Sequence, residues 1–206
     1  MTDNTHQKLK EIKQSFRLMM NGEATRSMRE KGIDYHLNWG VNILDLRKMA
    51  EEYGKDYHLA IELWKENIRE CKILATMIMP PEEMPIEIVD LWMEQTPSLE
   101  VAEQAAFNLY QYLDDASVIA FQWIASDNDL KQVCGFHILS RLFMKGMEPN
   151  DRGINEVIDQ AQTALLGDSL PVRHAAMSCM QHFAQLGESY EHIVHSAMRS
   201  VDLGFF

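Results

Sequence analysis

Residues 69–79 read RECKILATMIM. After the first two charged residues, apolar side chains occur on nearly every side of a helical projection, which is typical of a helix buried among other helices. Pro80-Pro81 then ends the segment, because proline lacks the N–H donor that a helix needs and disfavours helical geometry in the residue before it. This stretch predicts a helical protein in which several helices surround residues 69–79.

Outward from this helix, similar segments recur, each with a polar start followed by small and large apolar residues on one face. They begin 29–41 residues apart, close to the roughly 35–47 residues of two-helix HEAT and armadillo repeats. We therefore predict an all-α fold, a HEAT-like helical-repeat solenoid (an α-α superhelix) of about ten to twelve helices, in a single domain over residues 1–206. Chance similarity among amphipathic helices is the alternative. The segments are 69–75, 102–109, 131–139 and 172–177.

Several helix boundaries also have local signals. Ser98 is expected to cap a helix that runs through Leu113, and Ser126-Asp127-Asn128 to form the turn and cap before the next long one. Small residues such as Gly135 would let neighbouring helices approach closely. No long segment alternates with the period of a strand, so these boundaries support the all-α prediction.

Composition excludes several classes of protein. The chain has 206 residues and a net charge of −12, and it has no apolar run of the roughly 20 residues that cross a bilayer. The start, MTDNTHQKLKEIKQ, lacks a secretory h-region, so we expect a cytoplasmic protein without a membrane partner. Cys71, Cys134 and Cys179 are too widely spaced for a zinc motif. The sequence predicts no metal site and no cofactor.

Charge is distributed unevenly. Residues 1–75 contain 13 Lys/Arg and 12 Asp/Glu, whereas residues 76–206 contain 6 and 19. Because phosphate binding needs several cations on one surface, we expect nucleic-acid contacts mainly in the first third, where Lys10, Lys13 and Arg17 share a helix face. The alternative is a solvated face whose cations pair with nearby acids.

Tryptophans divide into two groups. Trp39, in the probable loop YHLNWG at residues 35–40, is a candidate for base stacking. Trp64, Trp92 and Trp123 lie on apolar helix faces and are expected in the core.

Four short segments carry a resemblance to a known family. They are residues 28–47, the LW…RE…A block of residues 63–75, WIASDN at residues 123–128, and VRHA at residues 172–175. Together they resemble the DNA alkylation repair family, the AlkD-like HEAT-repeat glycosylases. The resemblance implies DNA binding on a concave helical-repeat surface and, if the protein is an enzyme, N-glycosylase activity on alkylated purines.

The family's catalytic aromatic motif is not preserved. Where the family has a WWDxxD pattern, residues 99–104 read LEVAEQ, without tryptophan. The resemblance makes Glu103 the first candidate for the catalytic acid and Glu100 the second, since a glycosylase needs a carboxylate near the sugar.

Basic and aromatic residues supply the candidate DNA contacts. The alternative function is a non-catalytic HEAT-repeat adaptor that binds a protein or peptide, favoured by the acidic balance after residue 75 and by solenoid grooves in general. The candidate nucleic-acid-binding residues are Arg26, Arg29, Lys31, Tyr35, Trp39, Arg47, Lys48, Arg69, Lys72, Lys131 and Arg173.

Overall fold

The computed structural model describes residues 3–33 and 35–199 of the chain. Within these ranges there are twelve α-helices and two short 3-10 helices, which confirms the all-α prediction and the predicted number of helices. The described residues contain one isolated parallel bridge, between Leu37 and Ile68, and no strand. Residues 1, 2, 34 and 200–206 of the predicted domain lie outside the described residues. None of the described helices is long and apolar enough to cross a membrane.

The chain divides between Leu109 and Tyr110 into two compact units. That the whole chain forms a single domain therefore stays a prediction. The first unit contains α1 (Asp3–Leu18), α2 (Gly22–Glu30), α3 (Ile43–Tyr53), α4 (Tyr57–Lys65), α5 (Arg69–Ile78), a 3-10 helix (Pro81–Glu83), α6 (Ile86–Glu94) and α7 (Leu99–Asn108). The second contains a 3-10 helix (Tyr110–Tyr112), α8 (Ala116–Ile124), α9 (Asp129–Met144), α10 (Asp151–Leu166), α11 (Leu170–Ala184) and α12 (Glu188–Arg199).

Each of the four recurring segments falls on a helix, namely α5, α7, α9 and α11. In the first unit, α5 packs against α3, α4 and α7. In the second unit, α9 packs against α8 and α11, and α11 also packs against α10 and α12. Of the segments that looked alike in sequence, α5, α9 and α11 are thus the helices around which the units are built, and α7 packs on α5.

Burial follows the sequence pattern closely in both cores. Trp64, Trp92 and Trp123 are buried as predicted, and the Trp64 and Trp92 rings stack with centroids 4.1 Å apart. A Cβ at Gly135 would lie 2.8 Å from the Ala120 backbone oxygen, so glycine is what lets α9 approach α8. The small residues predicted to permit close helix packing therefore do so at this position.

The helix capped by Ser98 is shorter than predicted. It ends at Asn108, and Leu109 leaves helical geometry with φ −134° and ψ −65°. The 3-10 helix Tyr110–Tyr112 follows, and Leu113 is buried. The continuing apolar pattern reflects burial here and not a continuing helix, which is why periodicity alone extended α7 too far.

Candidate nucleic-acid interface

The loop of residues 35–42, which precedes α3, is fastened by one buried carboxylate. The backbone N–H groups of Trp39 and Val41 donate to Glu70 at the start of α5, each at 3.2 Å. Gly40 between them has φ +72°, and a Cβ there would lie 2.2 Å from the backbone oxygen of Asn21. The path of this loop therefore depends on Glu70 and on a glycine at position 40.

Arg69 is committed to the same loop. Its side chain is 2% exposed; Nη1 donates to the Val41 carbonyl at 2.9 Å and Nε to Glu100 at 2.8 Å. A second nitrogen, Nη2, also bonds the Glu100 carboxylate, and Nη1 contacts Glu70. The expectation that Arg69 contacts DNA is wrong for this structure, because its guanidinium is buried and engaged.

Tyr35 completes this network from the loop side. Its hydroxyl donates to Glu100 at 2.6 Å and lies 2.7 Å from the Ser98 hydroxyl. Burial raises the pKa of Tyr35, and the bond to Glu100 raises it further. Burial alone would raise the pKa of Glu100, but the hydrogen bonds and charge of Arg69 hold it below its ordinary value. Glu100 is thus an ionised carboxylate used to hold Arg69 and Tyr35.

Lys72 is also buried, contrary to the prediction of a surface contact. Its Nζ lies 4.3 Å from the centroid of the Trp64 ring, and burial lowers the pKa of its ammonium to about 8. Since Trp92 stacks on Trp64, Lys72 covers a stack of two indoles. The i, i+3 spacing of Arg69 and Lys72 marks a helix face, but that face is turned into the protein.

Glu103 lies one turn after Glu100 on α7 and is half-buried. Its predicted role as catalytic acid stays a prediction. Within the described residues, no group of three or more His, Cys, Asp or Glu is placed to hold a metal ion.

Five candidate cations of the first unit are exposed: Arg26 and Arg29 on α2, Lys31 at its end, and Arg47 and Lys48 on α3. Arg26 pairs with Glu30 at 2.8 Å, and Lys48 pairs with Asp45 at 3.3 Å. These are exposed pairs within one helix, which contribute little and exchange readily.

The two candidate cations of the second unit occupy equivalent places on their helices. Lys131 lies in the first turn of α9 and Arg173 in the first turn of α11, and both are half-buried. Their contact with DNA stays a prediction.

Cations lie beside Trp39 in one cavity and on its ring face. This cavity, of about 260 Å³, is lined in part by Met20, Arg26, Arg29 and Trp39. Arg17 of α1 lies over the Trp39 ring, with its guanidinium carbon 5.5 Å from the ring centroid. Trp39 itself is half-buried, and its indole N–H is buried without a hydrogen-bond partner among the described residues.

The second cavity, of about 290 Å³, runs along α1 and includes the three cations predicted to share a face, Lys10, Lys13 and Arg17. Arg17 therefore borders this cavity and also lies over Trp39, which borders the first cavity. We call the combined area the α1–α2 surface. It comprises Lys10, Lys13, Arg17, Arg26, Arg29 and Trp39.

Acids offset part of the charge on the α1–α2 surface. Lys13 pairs with Glu66 at 2.8 Å, and Arg26 with Glu30 as noted above. In the part of the chain that the structure describes, no acid pairs with Lys10, Arg17 or Arg29. Three cations are thus available to an anionic ligand without breaking an existing ion pair.

Sequence reasoning missed Glu70. The charge of its neighbour Arg69 predicts a DNA contact, and Glu70 has the position of a helix start. Both side chains are in fact buried. The available signal was two opposite charges in adjacent positions directly before an apolar run, because charged side chains are buried when they can pair.

Comparison with known protein families places this chain in one of them. Residues 12–180 match the family described as DNA alkylation repair enzyme. The chain belongs to this family. The resemblance that the sequence segments suggested is therefore confirmed.

Two curated relatives of this chain are uncharacterised proteins. Lin0241 of Listeria innocua and Lmo0209 of Listeria monocytogenes are each 29% identical over 126 residues. The match covers 58% of this chain and 55% of each relative, so the chain spans about half the length of the curated relatives it matches.

One solved structure shares the fold. It is described as a new family of proteins related to the HEAT-like repeat DNA glycosylases, with affinity for branched DNA structures. The TM-score is 0.84 at 16% identity, over 94% of this chain and 83% of that one. The HEAT-like fold prediction is therefore confirmed.

Proposed function

We propose that this member of the DNA alkylation repair family binds DNA through the α1–α2 surface. The observation that carries the proposal is the grouping of Arg17, Arg26 and Arg29 around a half-buried tryptophan. In a chain whose net charge is −12, such a grouping is a local exception. Guanidinium groups bind phosphates well, and an aromatic side chain beside them favours contact with bases.

The distribution of charge supports the same surface. Phosphate affinity comes largely from counterions released when cations meet the backbone. Lys10, Arg17 and Arg29 are the cations of this surface that no described acid pairs with, so a complex forms there without loss of an ion pair. Arg47, Lys48, Lys131 and Arg173 are further proposed contacts. That such cations gather on a concave face remains a prediction.

Family membership and the neighbour's description support DNA as the ligand. The neighbour is described as having affinity for branched DNA, so a four-way junction is a natural second probe beside a linear duplex. A protein or peptide partner is the competing proposal. A DNA-binding measurement decides between the two.

DNA binding is the part of the family's activity that the residues support best. The Glu100 carboxylate is ionised but engaged by Arg69, and the Trp64–Trp92 stack is buried, with Lys72 over the Trp64 ring. Neither offers a carboxylate with an aromatic platform for a flipped base. We infer that excision of alkylated purines, if it occurs, depends on Glu103.

Fluorescence anisotropy with a labelled duplex tests the binding proposal. The three cations of this surface that pair with no described acid should by themselves make the affinity fall about 40-fold between 50 and 200 mM salt, and each further phosphate contact should make the fall larger. The double variant Arg17→Glu/Arg29→Glu should weaken binding and reduce the salt slope by about two. Arg152→Glu/Arg199→Glu, which changes two exposed arginines of the second unit, makes the same charge change and should leave the slope near that of the wild type.

Absence of binding at 50 mM salt would refute the proposal and favour the adaptor function. A loss of equal size in both double variants would show that net charge, and not this surface, controls binding.

A separate assay addresses excision. Duplex containing N7-methylguanine is incubated with an excess of protein, and released base is measured. We expect no release above the spontaneous rate. Release that Glu103→Gln abolishes, with DNA binding intact, would instead establish a glycosylase whose acid is Glu103.

A further inference from the structure

Two large apolar side chains stand out from the surface where α1 gives way to α2. Leu18, the last residue of α1, is 88% exposed, and Met20, two residues later, is 63% exposed. The apolar residues earlier on α1, Leu9, Ile12 and Phe16, are by contrast buried. The exposed pair therefore lies beyond the face that α1 buries.

The backbone that carries this pair is held firmly. The Met19 N–H donates to the Ser15 carbonyl at 3.1 Å, which extends the bonding of α1 by one residue. Asn21 then caps α2, accepting from the Ala24 N–H at 3.0 Å, and its own N–H donates to the Trp39 carbonyl at 2.8 Å. Leu18 and Met20 are thus presented on a hydrogen-bonded corner.

Arginines border Met20 in space and precede Leu18 in the sequence. Met20 lines the same cavity as Arg26, Arg29 and Trp39. Leu18 directly follows Arg17, whose guanidinium lies over the Trp39 ring. Apolar side chains that project from a cationic rim are the arrangement by which DNA-bending proteins insert a wedge between base pairs while their arginines hold the backbone.

We propose that Leu18 and Met20 form a wedge that enters a weakly stacked base step, so that this protein prefers branched or kinked DNA to linear duplex. The proposal rests on the proposed DNA binding through the α1–α2 surface. Arg17, Arg26 and Arg29 grip the phosphates on either side, and the two apolar side chains replace base-to-base stacking at the opened step. A junction favours this because its branch point is already partly unstacked.

The geometry fits DNA better than a lipid surface. A helix that lies in a membrane interface exposes an apolar face along its length, whereas the apolar face of α1 is buried and only its end is exposed.

The experiment compares two double variants. Leu18→Ser/Met20→Ser removes the wedge. Leu166→Ser/Met147→Ser is the matched control, because Leu166 is the last residue of α10, is 69% exposed, and Met147 is an exposed loop methionine. Thermal unfolding of both variants checks that each folds like the wild type.

Anisotropy measures the affinity of each protein for a four-way junction and for a linear duplex of equal nucleotide content. We expect the wild type and the control to prefer the junction by at least tenfold, and the wedge variant to lose most of that preference. Its affinity for linear duplex should change by less than twofold, with the same salt slope, because the cations remain. A 2-aminopurine base at the branch point should brighten on binding the wild type and not on binding the wedge variant.

Several results would overturn the proposal. A wedge variant that keeps its junction preference, or a wild type without one, would refute the wedge while leaving DNA binding standing. No binding to either DNA would refute both. Co-sedimentation with phosphatidylserine vesicles that needs Leu18 and Met20 would reassign the pair to a lipid surface. A dimer in ultracentrifugation that the wedge variant loses would reassign it to self-association.

Discussion

Replacing Glu70 by glutamine should loosen the loop of residues 35–42 and destabilise the first unit. Glu70 is fully buried, and its carboxylate accepts the N–H groups of Trp39 and Val41 and one N–H of Arg69, at 3.1–3.2 Å. Glutamine keeps one oxygen but turns an NH2 group toward these donors. At least one donor then loses its acceptor, and Arg69 loses one of its two charged partners.

The size of the effect follows from these contacts. A hydrogen bond to a charged group contributes about 1.5–3 kcal/mol, and a buried donor left without a partner costs about 1–3 kcal/mol. Removing one partner from a buried ion pair costs about 3–5 kcal/mol. Arg69 keeps Glu100, and the bonds to Glu70 are long, so we expect the low end, about 3 kcal/mol.

Urea unfolding followed by tryptophan fluorescence measures this loss, because three of the four tryptophans, Trp39, Trp64 and Trp92, lie in the first unit. Amide exchange gives a local measure: opening that is easier by about 3 kcal/mol should exchange the Trp39 and Val41 amides about 100-fold faster.

Glu62→Gln is the matched control. Its carboxylate pairs with the exposed Lys65, so its loss should cost less than about 1 kcal/mol. If Glu70→Gln costs no more than Glu62→Gln, or if the two loop amides exchange at the wild-type rate, then the buried carboxylate does not hold this loop.

Three further predictions concern the same unit. Glu100→Gln should destabilise the protein near neutral pH. The difference from wild type, measured by urea unfolding, should begin to shrink as pH falls below about 4.3, the unfolded-state pKa, and should be lost as pH falls through the lower folded-state pKa. Gly40→Ala should cost about 2–4 kcal/mol, since its Cβ would meet the Asn21 backbone oxygen, whereas Gly32→Ala, with positive φ but open space, should cost about 1–2 kcal/mol in the same denaturation assay. Lys72→Met should raise the free energy of unfolding at pH 7, because it removes a buried ammonium. The gain should shrink as pH rises from about 8 toward 10.5, since the wild-type ammonium then loses its charge in the folded state. A gain that does not vary with pH would contradict this.

The helices and much of the core were predictable because their signals are local. The apolar period of residues 69–79, the prolines after it and the cap at Asn128 each act within one or two turns, and each is found where expected. Trp64, Trp92 and Trp123 followed from the same period. The helix end at Leu109 was missed because burial continued after the helix had ended.

The candidate site was predictable only in part. Lys10, Lys13 and Arg17 were placed on one face correctly, since helical spacing decides that. Arg69 and Lys72 were expected at a surface because they are charged. Local sequence does not reveal that the groups holding Arg69 come from Val41 and Glu100, 28 and 31 residues away.

The amino-acid sequence alone thus determined an all-helical chain and the helices that recur along it, because periodicity and capping are short-range. It also determined the family, through short segments that resemble those of other members. Only the tertiary structure decided which charged side chains stay in solvent and which are buried in ion pairs, and that Leu18 and Met20 are exposed, with Met20 beside Arg26 and Arg29. Those outcomes depend on partners far away in the chain, and the residues adjacent in sequence do not predict them.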